Sequence, residues 1–497
     1  MMILFSTSIW KRAGFREYRL SGGCKFVVPT LGEGYDSQAT APNRKSLLER
    51  TSTLMEASLS AANRNRFLPH PRSMLERFVQ SETSGSVLLF GATVVALVWA
   101  NSPWSASYFA LWKLPLKIGR PLFSMDLHHW IDDGLMVLFF LVVGLEIKRE
   151  IVKGELSSFR QAALPIMAAL GGMIFPALLY FALNRSGLEA RGWGIPMATD
   201  IGFAMGVLAL LGKRIPSSLR VFMLALAIVD DVGAILAIAF FYTPKISLSA
   251  LAVAGGLLAL LVAVAMRRAP ISVYMIVGFF FWAAVLSSGV HATIAGVVLG
   301  LVAPIKPKFR PEELAESAEP LLRNFRTQIL SKDKSTAEAT LTELDQLLRG
   351  TDSIAERLER SVHPWVCFLV LPLFALASAG VALSTEQLKL AFSSPIALGV
   401  FLGLVVGKAV GIAAFSFLAV QSRISEMADG LTWAGIAGIG ILAGVGLTVA
   451  LFISGLSFAD ETLVATAKVA VLAASLAAGT IGYLYLRFSL KDDSVRS

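Results

Sequence analysis

Long apolar stretches recur along most of the chain and are separated by short polar connections. From Ser86 to Leu486 they return about every 25–35 residues, and about twenty mainly apolar residues let an α-helix cross a bilayer. The pattern predicts one all-α polytopic membrane domain over residues 84–487. Its twelve predicted spans lie near residues 84–102, 128–152, 162–184, 195–212, 217–242, 247–266, 271–287, 290–304, 362–382, 394–419, 433–457 and 462–487.

Polar segments flank and interrupt this domain. Residues 1–80 contain twelve Lys or Arg and six Asp or Glu, and we expect them to form a basic, disordered cytoplasmic tail beside an anionic leaflet. Residues 306–361 form an extended cytoplasmic loop, in which helical apolar spacing predicts amphipathic helices at 312–330 and 336–348. Residues 488–497 are a short cytoplasmic C-terminal tail.

Charge placement predicts the orientation of the domain. Connections on the side of the N-terminus carry 23 Lys or Arg outside the tail, and those on the opposite side carry seven. Cytoplasmic loops hold the excess of Lys and Arg in membrane proteins, so both termini are predicted to be cytoplasmic. Because most of the net charge of +9 comes from the tail, nucleic-acid binding is not expected.

Composition and motifs narrow the function further. The chain is 55% hydrophobic and only 16% charged, against about 25% charged residues in soluble domains. Its sequence has no phosphate loop, zinc spacing or nucleotide fingerprint. We therefore expect no cofactor and no ATP-hydrolysing domain, so that any transport would be secondary active transport.

Two adjacent acids lie in the middle of an otherwise apolar span. Asp230 and Asp231 interrupt residues 222–241, and each carboxylate at membrane depth costs about 2.5–3.5 kcal/mol on insertion scales. Ionisable groups inside a span indicate an ion or proton site. Burial disfavours the charged form of a carboxylate, so protons can compete there with bound Na⁺. Asp200 and the Thr199 hydroxyl add oxygen donors, which suit hard cations.

A buried cation accompanies these acids. Lys408 lies among small residues in a later span. At that depth it needs a partner, and an aspartate is the obvious one. A static salt bridge that fixes the helix bundle is the alternative role, and it is compatible with proton transport.

Two predicted spans contain residues that interrupt helices. Pro196 removes a backbone donor shortly before Asp200, and Gly444 and Gly446 weaken the eleventh span. A pair of interrupted spans in corresponding halves of a transporter indicates its binding site. The alternative is that the glycines only allow close packing, but the acid at the first break favours broken helices.

Five segments carry a resemblance to a known family. They are Ala198-Thr-Asp-Ile-Gly-Phe-Ala, Ala225-Leu-Ala-Ile-Val-Asp-Asp-Val-Gly-Ala234, Ser288-Gly-Val-His-Ala-Thr293, His363-Pro-Trp365 and the span around Gly407-Lys408. In this order and spacing they resemble the NhaA-type sodium/proton antiporters of bacterial inner membranes. The resemblance implies two inverted repeats, spans three to five and ten to twelve, whose fourth and eleventh helices are broken and cross.

The resemblance also implies an activity, with roles for particular residues. The activity is electrogenic, pH-activated exchange of about two entering protons for one leaving Na⁺ or Li⁺, which serves Na⁺ and pH homeostasis. Asp231 would be the main cation and proton carrier, with Asp200 and Thr199 close to the Na⁺ or Li⁺. Asp230 would pair with Lys408 and exchange that bridge for a proton. Which of these two carries the second proton stays open.

By the same resemblance, a pH response is expected at the cytoplasmic ends of spans. The corresponding residues are Glu146, Glu150, His291, Glu359 and His363. Histidine titrates near neutral pH, although a packed, hydrogen-bonded histidine is the alternative at both positions.

The connection at residues 114–127 has a pattern of its own. It alternates apolar and polar residues around Gly-Arg-Pro, which predicts a small external hairpin. By resemblance this hairpin supports a homodimer. The expected partners are therefore Na⁺, Li⁺, H⁺, membrane lipid and a second copy of the chain.

Other functional classes fit parts of the pattern. An intramembrane aspartyl protease also places two aspartates in spans, but its Gly-x-Gly-Asp motif does not occur in this sequence. A Na⁺-coupled importer of an organic solute would share a broken-helix fold, although the Gly/Ala/Val-rich centre favours a small ion. A membrane scaffold without transport would not require four ionisable residues at membrane depth.

Overall fold

The computed structural model describes residues 15–19, 25–29, 82–117, 124–243, 246–267, 270–305, 311–330, 336, 339–344, 353–384, 389 and 393–490. Residues 1–76 and 77–497 are two compact units. In the first unit, strands β1 (Phe15–Arg19) and β2 (Lys25–Pro29) pair antiparallel. The prediction of a disordered tail over residues 1–80 otherwise falls outside the described residues, as does the C-terminal tail from residue 491.

The second unit is built from helices and one small hairpin. Strands β3 (Pro115–Lys117) and β4 (Ser124–Asp126) pair antiparallel, which confirms the hairpin predicted at 114–127 as far as its residues are described. The helices of the first half are α1 (Glu82–Ala100), α2 (Ser105–Trp112), α3 (Met136–Lys153), α4 (Phe159–Leu183), α5 (Ile201–Leu210), α6 (Ser217–Phe241), α7 (Leu248–Met266), α8 (Ile271–Ser288) and α9 (Ala292–Val302). Those of the second half are α10 (Pro311–Leu330), α11 (Ile354–Trp365), α12 (Leu371–Ser378), α13 (Pro395–Leu402), α14 (Lys408–Gln421), α15 (Trp433–Leu442), α16 (Leu447–Ser457) and α17 (Glu461–Ser489).

Short segments of other helical types join some of these helices. A helix of three residues, Leu127–His129, and a π-helical turn, Trp130–Leu135, precede α3. The 3₁₀ segment Glu189–Met197 precedes α5. The π-helical turns Val366–Val370 and Gly403–Gly407 make α11 continuous with α12 and α13 continuous with α14.

Among the described residues, seven helices are long and apolar enough to cross a membrane. The number rises to ten if each of three bent helix pairs is one span. Helices α3 and α9 also lie at predicted spans, but α3 carries five charged residues and α9 has only 11 residues. The chain is therefore an all-α, multi-pass membrane protein, while twelve spans and inverted repeats stay predictions.

Helix α6, which carries the adjacent aspartates, lies inside the helix bundle. Within its apolar window 67% of residues are buried, compared with 17% in α7. Charged side chains inside a membrane face the interior of the bundle, because lipid offers them no partners. The fold therefore shields the two acids of α6 from lipid.

Glycines allow close helix approach in this unit. Helix α4 lies against α14 where Gly171 meets Gly411, and a Cβ on Gly171 would lie 2.1 Å from the Gly411 carbonyl oxygen. Small residues allow such contact between membrane helices. The contact lies one turn beyond Lys408, whose side chain is fully buried.

The long connection after α9 contains the predicted helices where it is described. Helix α10 confirms the first amphipathic helix, and residues 339–344 are helical within the second. The Thr340 hydroxyl donates to Oε1 of Gln328 at 2.8 Å, which joins the two. At the far end, Ser353 and Glu356 form a capping box that starts α11.

Candidate cation site

Two interrupted helices meet at their breaks. The 3₁₀ segment Glu189–Met197 and α5 are bent by 42°, and α15 and α16 are bent by 48°. At the point of contact, the backbone N–H of Asp200 donates to the carbonyl oxygen of Val445 at 2.7 Å. Pro196 lies within the 3₁₀ segment and packs against Gly403, where a Cβ would come within 2.7 Å of the proline ring. Helix breaks are therefore present at both predicted positions.

The two glycines of the second break have no room for a side chain. A Cβ on Gly446 would lie 2.8 Å from the carbonyl oxygen of Ala198, and one on Gly444 would lie 2.3 Å from that of Leu404. In each case the obstacle is backbone, which cannot rotate away. Glycine is thus required here for close backbone approach.

Asp200 caps two helix N-termini at once. Its Oδ1 accepts from the backbone N–H of Phe203 at 3.0 Å, in the first turn of α5. Its Oδ2 accepts from the backbone N–H of Thr448 at 3.0 Å and from the Thr448 hydroxyl at 2.8 Å, in the first turn of α16. Helix N-termini carry partial positive charge. The carboxylate of Asp200 therefore neutralises two facing helix ends, while its hydrogen-bonding capacity is largely used.

Lys408 and Asp230 form a salt bridge whose side chains are 0% and 1% exposed. The Thr199 hydroxyl joins the pair: its Oγ1 lies 2.5 Å from Oδ2 of Asp230 and accepts from Nζ of Lys408 at 2.6 Å. The same hydroxyl lies 3.0 Å from the carbonyl oxygen of Ala443, the residue after α15. The pair is thus linked to both breaks. Lys408 begins α14 directly after the π-helical turn Gly403–Gly407, and such turns are frequent at functional sites.

Asp231 is buried, and the described residues give its side chain no hydrogen bond. It is 5% exposed, and no residue in the part of the chain that the structure describes donates a hydrogen bond to its carboxylate. The charged side chains that act on it electrostatically are Asp230, Glu146, Asp200 and Lys408. With Asp231 itself, this makes four carboxylates and one ammonium group. Such an excess of negative charge favours the binding of a cation or a proton.

The described residues around Asp231 do not form the ligand cluster of a multi-carboxylate or histidine metal site. In the described chain, no group of three or more His, Cys, Asp or Glu side chains could hold a metal ion together. A monovalent ion bound by Asp231 and Asp200 would complete its coordination with hydroxyl, carbonyl or water oxygens.

Three of the five residues predicted to respond to pH lie together. Arg149 of α3 forms a salt bridge with Glu359 of α11, and its Nε lies 3.8 Å from Oε1 of Glu150. Glu146 lies one turn earlier on α3, within electrostatic range of Glu150 and Glu359. Lys153 and Glu356 add a second ion pair between the same helices, at 2.8 Å. The end of α3 is therefore tied to the start of α11 by charge.

The two histidines have different positions relative to this cluster. His291 lies just before α9, with Nε2 3.1 Å from the carbonyl oxygen of Tyr242 at the end of α6. The cluster lies at the opposite end of the bundle, near the start of α6. His363 is on α11 but exposed, and its described contact is with Cys367. The structure thus separates His291 from the acids with which it was grouped, whereas His363 lies one turn after Glu359 on the same helix.

Two hydroxyl residues at the breaks were missed by the sequence reasoning. Thr448 binds Asp200 through both its backbone and its side chain. Ser475 of α17 accepts from the backbone N–H of Gly446 at 3.2 Å. The signal for Thr448 was its place two residues after Gly446, at the start of a helix, where threonine is a common capping residue. The sequence held no comparable signal for Ser475.

The chain is similar to known proteins over most of its length. Residues 76–486 match the family model described as Na+/H+ antiporter 1. The chain is 47% identical over 426 residues to a protein of Sorangium cellulosum named "Na(+)/H(+) antiporter NhaA 2", covering 83% of this chain and 90% of that protein. It is 47% identical over 427 residues to "Na(+)/H(+) antiporter NhaA" of Oleidesulfovibrio alaskensis, covering 84% and 94%. The names of both relatives describe transporters rather than enzymes.

Proposed function

The chain belongs to the Na+/H+ antiporter 1 family, and from this premise we propose that it is a secondary active, electrogenic antiporter. It would let about two protons enter for each Na⁺ or Li⁺ that leaves, and it would be activated at alkaline pH. The main support for the proposal is the environment of Asp231. Its carboxylate is buried, and no described residue donates a hydrogen bond to it. A structural acid at this depth would be expected to have its hydrogen bonds satisfied.

Exchange follows from competition at Asp231. A carboxylate that faces excess negative charge binds a proton or a Na⁺, but each lowers the affinity for the other. A cation arriving from the cytoplasm would displace the proton, and a proton arriving from outside would displace the cation. Asp200 and Thr199 are proposed to lie close to the bound ion, with Asp200 holding the helix ends in place through its three hydrogen bonds.

The second proton is assigned to the Asp230–Lys408 pair. A buried salt bridge needs both charges, because an unpaired buried charge is strongly unfavourable. When the helices rearrange and the pair separates, uptake of a proton by Asp230 or loss of one by Lys408 relieves that cost. Two protons exchanged for one cation move one net charge, so transport would be electrogenic.

Location and assembly follow the same proposal. The charge asymmetry of 23 against seven Lys or Arg supports cytoplasmic termini in the inner membrane. Spans three to five and ten to twelve would form the inverted repeats, each with a broken helix. The hairpin of β3 and β4 would join two copies into a homodimer, and lipid would surround the exposed apolar faces.

The alkaline activation would involve the charged ends of α3 and α11. Glu146, Glu150 and Glu359 are the acids proposed for this response, supported by the ion pairs of Arg149 with Glu359 and Lys153 with Glu356. Both pairs would have to rearrange if α3 moved against α11. His291 and His363 stay candidates without a contact to these acids.

The proposal is tested by collapse of a pH gradient in everted membrane vesicles. Na⁺, Li⁺ or K⁺ is added between about pH 6.5 and 8.5, and recovery of a quenched pH dye is followed. We expect Na⁺ and Li⁺ to collapse the gradient, increasingly at higher pH, and Asp231→Asn to abolish the response, because a neutral amide cannot exchange Na⁺ for H⁺.

The matched control is Asp460→Asn. Asp460 is exposed and caps α17 through a hydrogen bond from Thr462 at 2.7 Å, and asparagine caps helices equally well. This variant should keep exchange within about twofold of the unaltered chain. An unaltered, well-inserted chain that responds to no cation at any pH would instead favour the Na⁺-coupled solute importer.

A further inference from the structure

The second helix break has a hydrogen-bond partner outside the two broken helices. Gly446 is the N-cap residue of α16, and its backbone N–H is directed at Oγ of Ser475, 3.2 Å away. Ser475 is on α17 and is 5% exposed. A buried backbone N–H needs an acceptor, and the serine hydroxyl supplies it.

Three other polar groups at this break bind the first broken helix. The carbonyl oxygen of Ala443 lies 3.0 Å from the Thr199 hydroxyl, and that of Val445 accepts from the Asp200 N–H at 2.7 Å. The Thr448 N–H donates to Oδ2 of Asp200. These contacts hold the two breaks to each other. Ser475 instead holds the second break to a continuous helix.

The first break is held in the same way by α6. The Thr199 hydroxyl bonds Oδ2 of Asp230, 31 positions further along the chain. Gly446 bonds Ser475, 29 positions further along. In both cases the acceptor lies near the middle of the long helix that follows the break, α6 with 25 residues or α17 with 29. A hydroxyl in the second half thus takes the place that a carboxylate has in the first.

We infer that Ser475 is a positioning residue for the cation site, acting through the backbone of Gly446. The inference rests on the proposed function. Gly446 is two residues before Thr448, whose backbone and hydroxyl hold Oδ2 of Asp200. If Gly446 shifts, Thr448 shifts with it, and the capped carboxylate next to the bound ion loses its orientation. Because Ser475 is neutral, it fixes the break without adding another charge that could bind protons.

The test compares three serine variants of the full-length chain. Ser475→Ala removes the acceptor, and we expect the apparent KM for Na⁺ in everted vesicles to rise about five- to tenfold while the maximal rate stays within about twofold. Ser475→Thr keeps the hydroxyl and should restore a KM near that of the unaltered chain. Ser416→Ala is the matched control: Ser416 is buried on α14, but its hydroxyl has no partner among the described residues, so its loss should leave KM unchanged.

A second readout separates this inference from the proposed function. The purified chain is melted in detergent with and without Na⁺, and we expect Ser475→Ala to need a five- to tenfold higher Na⁺ concentration for the same stabilisation. An unaltered chain that is stabilised by Na⁺ but shows no exchange would count against antiport. The role of Ser475 in Na⁺ binding would still be tested by the melting temperatures of the variants. If Ser475→Ala fails to insert, Ser475→Cys, with a weaker acceptor, should show an intermediate shift.

Several results would overturn the inference. One is a Ser475→Ala variant with the KM and Na⁺ stabilisation of the unaltered chain. Another is a Ser416→Ala variant that is affected equally, since a general packing loss would then explain both. A lower melting temperature in Ser475→Ala with unchanged Na⁺ dependence would mean that Ser475 only stabilises the fold. An unaltered chain that does not bind Na⁺ would overturn the proposed cation site and this inference with it.

Discussion

At the scale of single residues, the Asp230–Lys408 salt bridge makes a direct prediction about stability. Both side chains are out of contact with solvent. Removing one partner of a buried pair typically costs about 3–5 kcal/mol, because the other charge is left without compensation. We expect Asp230→Asn and Lys408→Gln each to lower the melting temperature of the purified protein clearly. The double variant should recover much of the loss, since it leaves no unpaired charge.

The comparison among these variants is a double-mutant cycle. The unaltered chain, both single variants and the double variant are melted in the same detergent at the same pH. Losses of the two single variants that simply add in the double variant would mean that the side chains are not coupled. In that case the pair would not hold the breaks together.

The same residues show what can be predicted from sequence at this scale. Acids and a lysine in apolar spans are rare and costly, so Asp200, Asp230, Asp231 and Lys408 stood out without a structure. Serine and threonine can be placed in membrane helices at a low free-energy cost, because their hydroxyls commonly bond the backbone of their own helix. Ser454 does so with the carbonyl oxygen of Ala450 at 2.7 Å. Whether a serine reaches another helix, as Ser475 does, depends on tertiary contacts that no local pattern encodes.

At the scale of elements, the break between α15 and α16 depends on the absence of a side chain. A Cβ on Gly444 would lie 2.3 Å from the Leu404 carbonyl oxygen, so Gly444→Ala must push the break away from the π-helical turn Gly403–Gly407. We expect exchange to fall at least tenfold, measured as the initial rate of gradient collapse per amount of inserted protein. The cause would be displacement of the break, not a change in any charged group.

The control for this glycine lies in the adjoining helix. Around Gly455 of α16, no atom of the described residues lies within 4 Å of a Cβ position, apart from its chain neighbours and the local helix backbone. Alanine also favours helix more than glycine does. Gly455→Ala should therefore keep full exchange. Equal activity of the Gly444 and Gly455 variants would show that the close approach at the break is not required.

Glycine and proline positions predicted both helix breaks, but not the geometry around them. The sequence could not predict the π-helical turn Gly403–Gly407, because a single extra residue per turn leaves almost no trace in apolar periodicity. It also did not predict α2, which follows α1 at an angle of 117°. The turn between them contains Pro103, and the residue before a proline disfavours the α-helical conformation.

At the scale of the whole molecule, the long connection after α9 is an insertion between two helices of the membrane domain, called the excursion below. The chain leaves at Pro304 and returns at Ala355, whose N–H donates to the Pro304 carbonyl oxygen at 3.0 Å. The returning chain is then anchored by Glu356, which accepts from Lys153 at 2.8 Å and from the Ser353 N–H at 3.0 Å. Length and charge predicted this excursion. That its two ends meet is a tertiary fact and was not predictable.

Because the ends meet, the excursion should be removable. We expect replacement of residues 307–351 by about six Gly and Ser residues, a flexible linker that spans such a gap, to leave insertion intact and Na⁺ exchange within about twofold. Those deleted residues that the structure describes contribute nothing to the cation site, so we expect any effect to appear in the pH dependence, through α11 and its ion pairs with α3. Gradient collapse between pH 6.5 and 8.5 measures both. A companion deletion that also removes Ser353–Glu356 loses the anchor and should exchange poorly; if the shorter deletion alone abolishes exchange, the excursion is instead part of the transport machinery.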